Sequence, residues 1–124
     1  LLLTTDGDLT LRLTHPRYEH EKEYWVWTAP PPTARDLQAL RRGVSLEDGP
    51  SRPDWADLDE GGIRMQLHEG RNRQVRRTME ALGFRVRQLV RTRVGALTLR
   101  GLRPGEWVEL GERDVQAALE RLGR

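Results

Sequence analysis

Leu67-His68-Glu69-Gly70-Arg71-Asn72-Arg73-Gln74-Val75-Arg76-Arg77 joins a strand to a helix. Upstream, Ile63-Arg64-Met65-Gln66-Leu67 alternates apolar and polar residues, the period of a half-buried strand. Gly70 permits a tight turn. Beyond it the spacing predicts a helix over 73–82, with Val75, Met79 and Leu82 on one face and Gly83 as its stop. Backbone N–H groups at such a helix start favour anions, and Arg71 and Arg73 flank that point. Arg73 and Arg77 face away from the core. Arg76 falls on the boundary, where a guanidinium can grip a carboxylate as a bidentate fork. Its plainer use is a surface pair with Glu80 one turn on, worth about 0.2–0.5 kcal/mol. His68-Glu69 is no zinc motif, because no second His lies four residues after His68.

Outward from this stretch, Lys22-Glu23-Tyr24-Trp25-Val26-Trp27-Thr28 is aromatic and β-branched and reads as a strand ended by Pro30-Pro31-Pro32. In it Lys22, Tyr24 and Val26 share one face, and Trp25 and Trp27 the other. Thr33 can cap a helix over 34–42, with Gly43 at its C-terminus. Residues 44–60 read as acidic loops holding short apolar pieces. Strands are expected near 84–92, 96–100 and 106–110, broken by Gly95 and Pro104-Gly105. A last helix is expected over 112–122, with Val115, Leu119 and Leu122 on its apolar face. Leu9, Leu11 and Leu13 alternate like a strand, while Leu9 and Leu13 also fit one helix face; a helix stopped by Pro16 is the favoured reading. The order of elements gives an α+β fold, one domain with a mixed, largely antiparallel sheet and flanking helices.

Composition narrows the function. At 124 residues the chain is about one small domain. It has no Cys, so no disulfide and no thiolate metal site. His15, His20 and His68 lack metal-ligand spacing. No apolar run reaches the roughly 18–20 residues of a membrane span, so a cytoplasmic protein with no membrane partner is expected. Twenty of the 21 basic residues are Arg, Lys22 being the exception, and Asn72 is the one Asn. Charge is segregated. Residues 71–103 hold ten Arg and one acid, net +9, whereas 44–69 hold seven acids and two Arg, net −5. The basic block can attract a phosphate backbone, or it can be an Arg face paired with the acidic loop. The short 73–82 helix offers too few free side chains for reading DNA bases. Leu1-Leu2-Leu3 opens the chain with bare apolar residues, whereas termini are usually exposed, so a chain cut inside its first element is expected.

Four stretches give this sequence a family resemblance: Leu1-Leu2-Leu3-Thr4-Thr5-Asp6-Gly7, Glu21-Lys22-Glu23-Tyr24-Trp25-Val26, Glu69-Gly70-Arg71-Asn72-Arg73-Gln74-Val75-Arg76-Arg77, and Leu89-Val90-Arg91-Thr92-Arg93-Val94-Gly95 through Pro104-Gly105-Glu106-Trp107. In this order they resemble the ribosomal-RNA pseudouridine synthases of the RsuA/RluB/RluE/RluF branch. The third stretch is the most specific.

The resemblance implies isomerisation of a uridine in ribosomal RNA, by a monomer needing no cofactor or metal. The glycosidic C–N bond breaks, the base rotates, and a C–C bond forms at C5. In the family an Asp carboxylate is the nucleophile on a flipped nucleotide. Tyr24 matches the Tyr that stacks on the base and takes part in removing the C5 proton. Arg76 matches the Arg that holds the catalytic Asp ionised. Lys22, Arg71, Asn72, Arg73, Gln74, Arg77 and Arg91 match positions that shape the site or contact RNA. Leu97 or Leu99 is expected as apolar lining. The Leu89–Gly95 wording leans toward large-subunit over small-subunit RNA. The family's Arg-Leu-Asp nucleophile motif does not occur in these 124 residues. The chain is therefore expected to be the C-terminal larger part of a catalytic domain, without the catalytic-Asp segment or the N-terminal RNA-binding domain, and inactive alone. The alternative is a non-catalytic RNA- or ribosome-binding module of the same fold.

Overall fold

β1 (Lys22–Ala29) lies at the centre of the sheet because both its faces carry bulky side chains to bury. The structure, a computed structural model, describes residues 2–5, 7, 20–99 and 101–120. β1 pairs antiparallel with β5 (Gly62–Leu67) on one side and with β6 (Arg85–Val94) on the other. β4 (Trp55–Asp59) extends the sheet beyond β5, and the short β7 (Leu97–Thr98) extends it beyond β6. A separate hairpin pairs β2 (Val44–Leu46) with β3 (Gly49–Ser51). All these pairings are antiparallel.

Helices among the described residues complete the α+β fold. α1 (Ala34–Arg42) begins with a capping box. The Thr33 hydroxyl accepts the Asp36 amide, and the Asp36 carboxylate accepts the Thr33 amide. Leu37 and Leu40 are its buried face. α2 (Gln74–Ala81) buries Val75 and Met79 as its spacing predicts, with Leu82 packed at the margin. It also buries Gln74 and Thr78, which the apolar pattern does not show. Both helices cover one face of the sheet, closing a core around Val26, Leu40, Ile63, Met65 and Met79. α3 is Glu112–Glu120. The helix expected ahead of Pro16 lies outside the described residues, as do Leu122 and the side chain of Leu119.

Two expectations need correction. The segment read as loops, 44–60, holds β2, β3 and β4. Their apolar signal is weak because β2 and β3 are three residues each and β4 is an edge strand with two acids. Residues 106–110 form no strand. Trp107 is 84% exposed there, and a strand without a paired neighbour has nothing to satisfy its backbone.

β6 is longer than the stretch of β1 that it faces, and two bulges absorb the difference. Glu23 pairs with Arg93 and Tyr24 with Arg91, leaving Thr92 as the extra residue. Trp27 pairs with Gln88 and Thr28 with Val86, leaving Arg87 extra. Each bulge reverses which face the following side chains take. Arg93 thus stays with Glu23 on the face away from the helices, whereas Arg91 turns to the Tyr24 face. On the far face Trp25 and Trp27 stack at 4.3 Å, and the Arg64 guanidinium sits 3.8 Å from the Trp25 ring. Arg64 is neutralised by Glu23 and Asp59, and Arg93 by Glu21 and Glu23.

Candidate active site

The strand-to-helix turn at Gly70 opens beside the end of β1, and a cavity of about 140 Å³ forms between them. Tyr24 stands on one wall. Gly70, Arg73 and Arg76 form the other, and Leu67, Val75 and Leu89 are its apolar lining. Tyr24 and Arg76, far apart in sequence, thus meet on one cavity. Neither Leu97 nor Leu99 lines it. The bulge at Arg87 brings Leu89 onto the Tyr24 face in their place, a change that strict alternation cannot foresee.

Tyr24 is half-buried, and burial pushes its phenol pKa up, with the Arg91 charge partly opposing. Lys22 reaches across to Gly70, where a Cβ would collide with its ammonium group. Burial lowers the Lys22 pKa, and Arg91 lowers it further. On this face of β1 Lys22 precedes Tyr24 along the strand and Arg91 is its cross-strand partner, so two cations stand near the phenol. Arg76 makes no ion pair or hydrogen bond among the described residues, the surface pair with Glu80 included. Arg73 likewise makes none through its side chain, and it sits in the left-handed region with φ 51°. That conformation costs a non-glycine residue about 1–3 kcal/mol, so its surroundings must hold it.

The remaining motif residues are placed differently. Arg71 turns inward and donates to the carbonyls of Asp48, Gly49 and Pro50 at 3.0, 3.2 and 2.9 Å. Arg77 forks onto the Asp48 carboxylate at 2.9 and 3.0 Å, and its Nε donates to the Asn72 carbonyl at 2.9 Å. Gln74 is 3% exposed. Its amide donates to Ser51 Oγ at 3.1 Å and to Glu69 at 2.9 Å, and its carbonyl Oε1 accepts the Arg71 amide at 3.3 Å. The ring closes as Ser51 bonds Thr78 at 2.8 Å and Thr78 donates to the Gln74 backbone carbonyl at 2.6 Å. Asn72 is exposed on the turn. Of the residues matched to RNA contact, the structure gathers Lys22, Arg73 and Arg91 near Tyr24 and Arg76. It engages Arg71, Gln74 and Arg77 in holding the turn. Part of the basic block is thus paired with the acidic segment. Ser51, Thr78 and Asp48 are missed by the sequence reading, because small polar residues in short segments carry no period.

Among the described residues no cluster of His, Asp or Glu could hold a metal ion, and no helix is long and apolar enough to cross a membrane. The site is thus built of an aromatic face, a guanidinium and a rim of cations, a set suited to a base and its phosphates.

The model of the RNA pseudouridylate synthase family matches residues 1–81. Ribosomal large subunit pseudouridine synthase E of Xanthomonas campestris pv. campestris is 40% identical over 127 residues, covering 86% of this chain and 68% of its own length. Ribosomal large subunit pseudouridine synthase B of Bacillus subtilis is 41% identical over 123 residues, covering 94% of this chain and 50% of its own length. A crystal structure of a pseudouridylate synthase superposes with a TM-score of 0.81 at 30% identity, over 93% of this chain and 52% of that one. The chain spans about half to two thirds of the length of these relatives. It belongs to the RNA pseudouridylate synthase family.

Proposed function

We propose that this chain forms the base-binding half of a site that isomerises a uridine of ribosomal RNA to pseudouridine, with large-subunit RNA favoured by the names of its relatives. The observation that carries the reading is the shared cavity of Tyr24 and Arg76. In the reaction the N1–C1′ bond breaks, the uracil turns, C5 bonds to C1′, and the C5 proton is exchanged for one on N1. No atom is gained or lost. Tyr24 offers the base a stacking face. Its hydroxyl, protonated at neutral pH in any tyrosine, is made still weaker as an acid by burial, so a phenol that accepts the C5 proton must pass its own on. Arg76 has its guanidinium free to pair with a carboxylate brought to the cavity, and such a pair keeps the acid ionised and nucleophilic. Lys22, Arg73 and Arg91 supply charge for the phosphates around a flipped nucleotide.

The nucleophile is proposed to come from outside these 124 residues, since no Arg-Leu-Asp stretch occurs in them. The chain alone is then expected to bind RNA as a monomer and leave uridine unchanged. A tritium-release assay on ribosomal RNA labelled at C5 tests this, with no release expected from the 124-residue chain. Release would place the nucleophile within the chain, Asp6 being the first candidate. The three cations given to phosphate, Lys22, Arg73 and Arg91, predict a slope of log K against log salt of roughly −2 for single-stranded RNA. A flat response would overturn the RNA reading.

A further inference from the structure

The β2–β3 hairpin is not part of the main sheet, yet it grips both ends of the Arg71–Arg77 motif. Its turn carries Asp48, whose carboxylate takes both forks of Arg77 and lies 3.3 Å from Arg71 Nη1. Arg77 reaches from this carboxylate to the Asn72 carbonyl. It thereby pins the peptide just before Arg73, the residue held in the left-handed region at the cavity wall. Arg71 is anchored mainly by three backbone carbonyls of the hairpin, and Gly49 admits it, since a Cβ there would lie 3.3 Å from Nη1. The arginines between the two ends, Arg73 and Arg76, have no such partner among the described residues.

We propose that Asp48 is a positioning residue of the RNA site. Acting through Arg77, it fixes the Asn72–Arg73 turn and withholds the Arg77 charge from RNA, so that Arg73 is the motif cation presented to phosphate and Arg76 stays free for a carboxylate. This rests on the RNA-modifying reading above. The Arg77 fork holds the Asp48 carboxyl below its ordinary pKa, so the carboxylate is charged wherever the site would work. The buried Gln74, Ser51 and Thr78 bonds do not involve Asp48. Asp48→Asn therefore leaves the hairpin attached while replacing the charged fork on Arg77 by at most one neutral hydrogen bond.

Two readouts test this. Binding of an oligouridine strand over a range of salt concentrations counts the cations that meet phosphate, at about 0.7 in slope per charge. Asp48→Asn is expected to steepen the slope by about 0.7. Arg77→Gln is expected to leave it unchanged in the wild-type background and to return it to the wild-type value in the Asp48→Asn background. A slope that falls by about 0.7 when Arg77→Gln is made in the wild type would overturn the proposal, because Arg77 would already be on phosphate. The second readout needs no RNA. Amide exchange at Gln74, whose N–H bonds the Arg71 carbonyl across the turn, is expected to quicken in Asp48→Asn while that of Ile63 and Met65 in the core stays unchanged. Unchanged exchange at the turn would also overturn the proposal. Failure of the wild-type protein to bind oligouridine would sink the RNA reading and the charge-withholding role together. Quickened exchange in that case would still show Asp48 bracing the turn, so the two failures separate.

Discussion

Replacing Gln74 with Ala is the sharpest test of whether this residue serves the fold or the RNA. The side chain is almost fully buried and loses three hydrogen bonds at once, to Ser51, to Glu69 and from the Arg71 amide. A neutral hydrogen bond contributes about 1 kcal/mol, and one to a charged partner about 1.5–3. The Glu69 side chain is 39% exposed, which puts its bond at the low end. The Arg71 amide bond is long and counts for less. Together the loss is about 3 kcal/mol, before any cavity term. With a urea m-value of about 2 kcal/mol/M, the unfolding midpoint falls by about 1.5 M. Urea titration followed by tryptophan fluorescence measures it. Ser51→Ala made alone and with Gln74→Ala should reveal a coupling of about 1 kcal/mol, as expected for groups in one network. A midpoint shift equivalent to less than about 0.5 kcal/mol, together with a large loss of RNA affinity, would refute the buried ring and return Gln74 to the RNA surface.

Other outcomes follow from the same geometry. Arg91→Gln should raise the pKa of Tyr24 further and let that of Lys22 recover upward, since the Arg91 charge lowers both; phenolate absorbance in a Tyr18→Phe background reads the first shift. The Asp48 pKa is depressed in the folded state by Arg77, so its stabilisation is fully present above the ordinary carboxylate value of 3.8 and is lost as pH falls through the lowered value. Melting wild type and Asp48→Asn side by side down that range should show the gap between them closing, and a constant gap would count against the pair. Gly62→Ala should destabilise by about 1–3 kcal/mol, because its Cβ would meet the Val26 carbonyl oxygen at 2.6 Å and that atom cannot swing aside; chemical denaturation would detect it.

Much of the fold was legible because its periodic elements are long enough to show a period. β1, α1 and α2 fall within a residue or two of the expected ranges, and the Thr33 cap is where its side-chain chemistry requires it. What stayed hidden lacks a period. Ser51 lies in a three-residue strand, and Gln74 and Thr78 are polar residues buried by partners that come from that strand. The motif arginines look alike in sequence. Asp48, contributed by a segment read as an acidic loop, sets Arg77 apart from Arg73 and Arg76 by an ion pair that neither of them makes. The family resemblance points to Leu97 or Leu99, whereas Leu89 lines the cavity because the bulges of β6 set it on the Tyr24 face, which no periodicity in the sequence shows.

Those bulges divide β6 into three runs with different duties, each set in phase by one surplus residue. Thr92 separates an arginine that serves the fold, Arg93, from one beside the cavity, Arg91, although only a single position lies between them. Such a strand accepts exchange of one side chain for another far better than a change in length. Losing Val90, which has a partner in β1, would carry Leu89 to the face opposite Tyr24, whereas losing Thr92, the surplus residue, would only straighten the strand. The spacing between β6 residues is thus as much a part of the site as their identities.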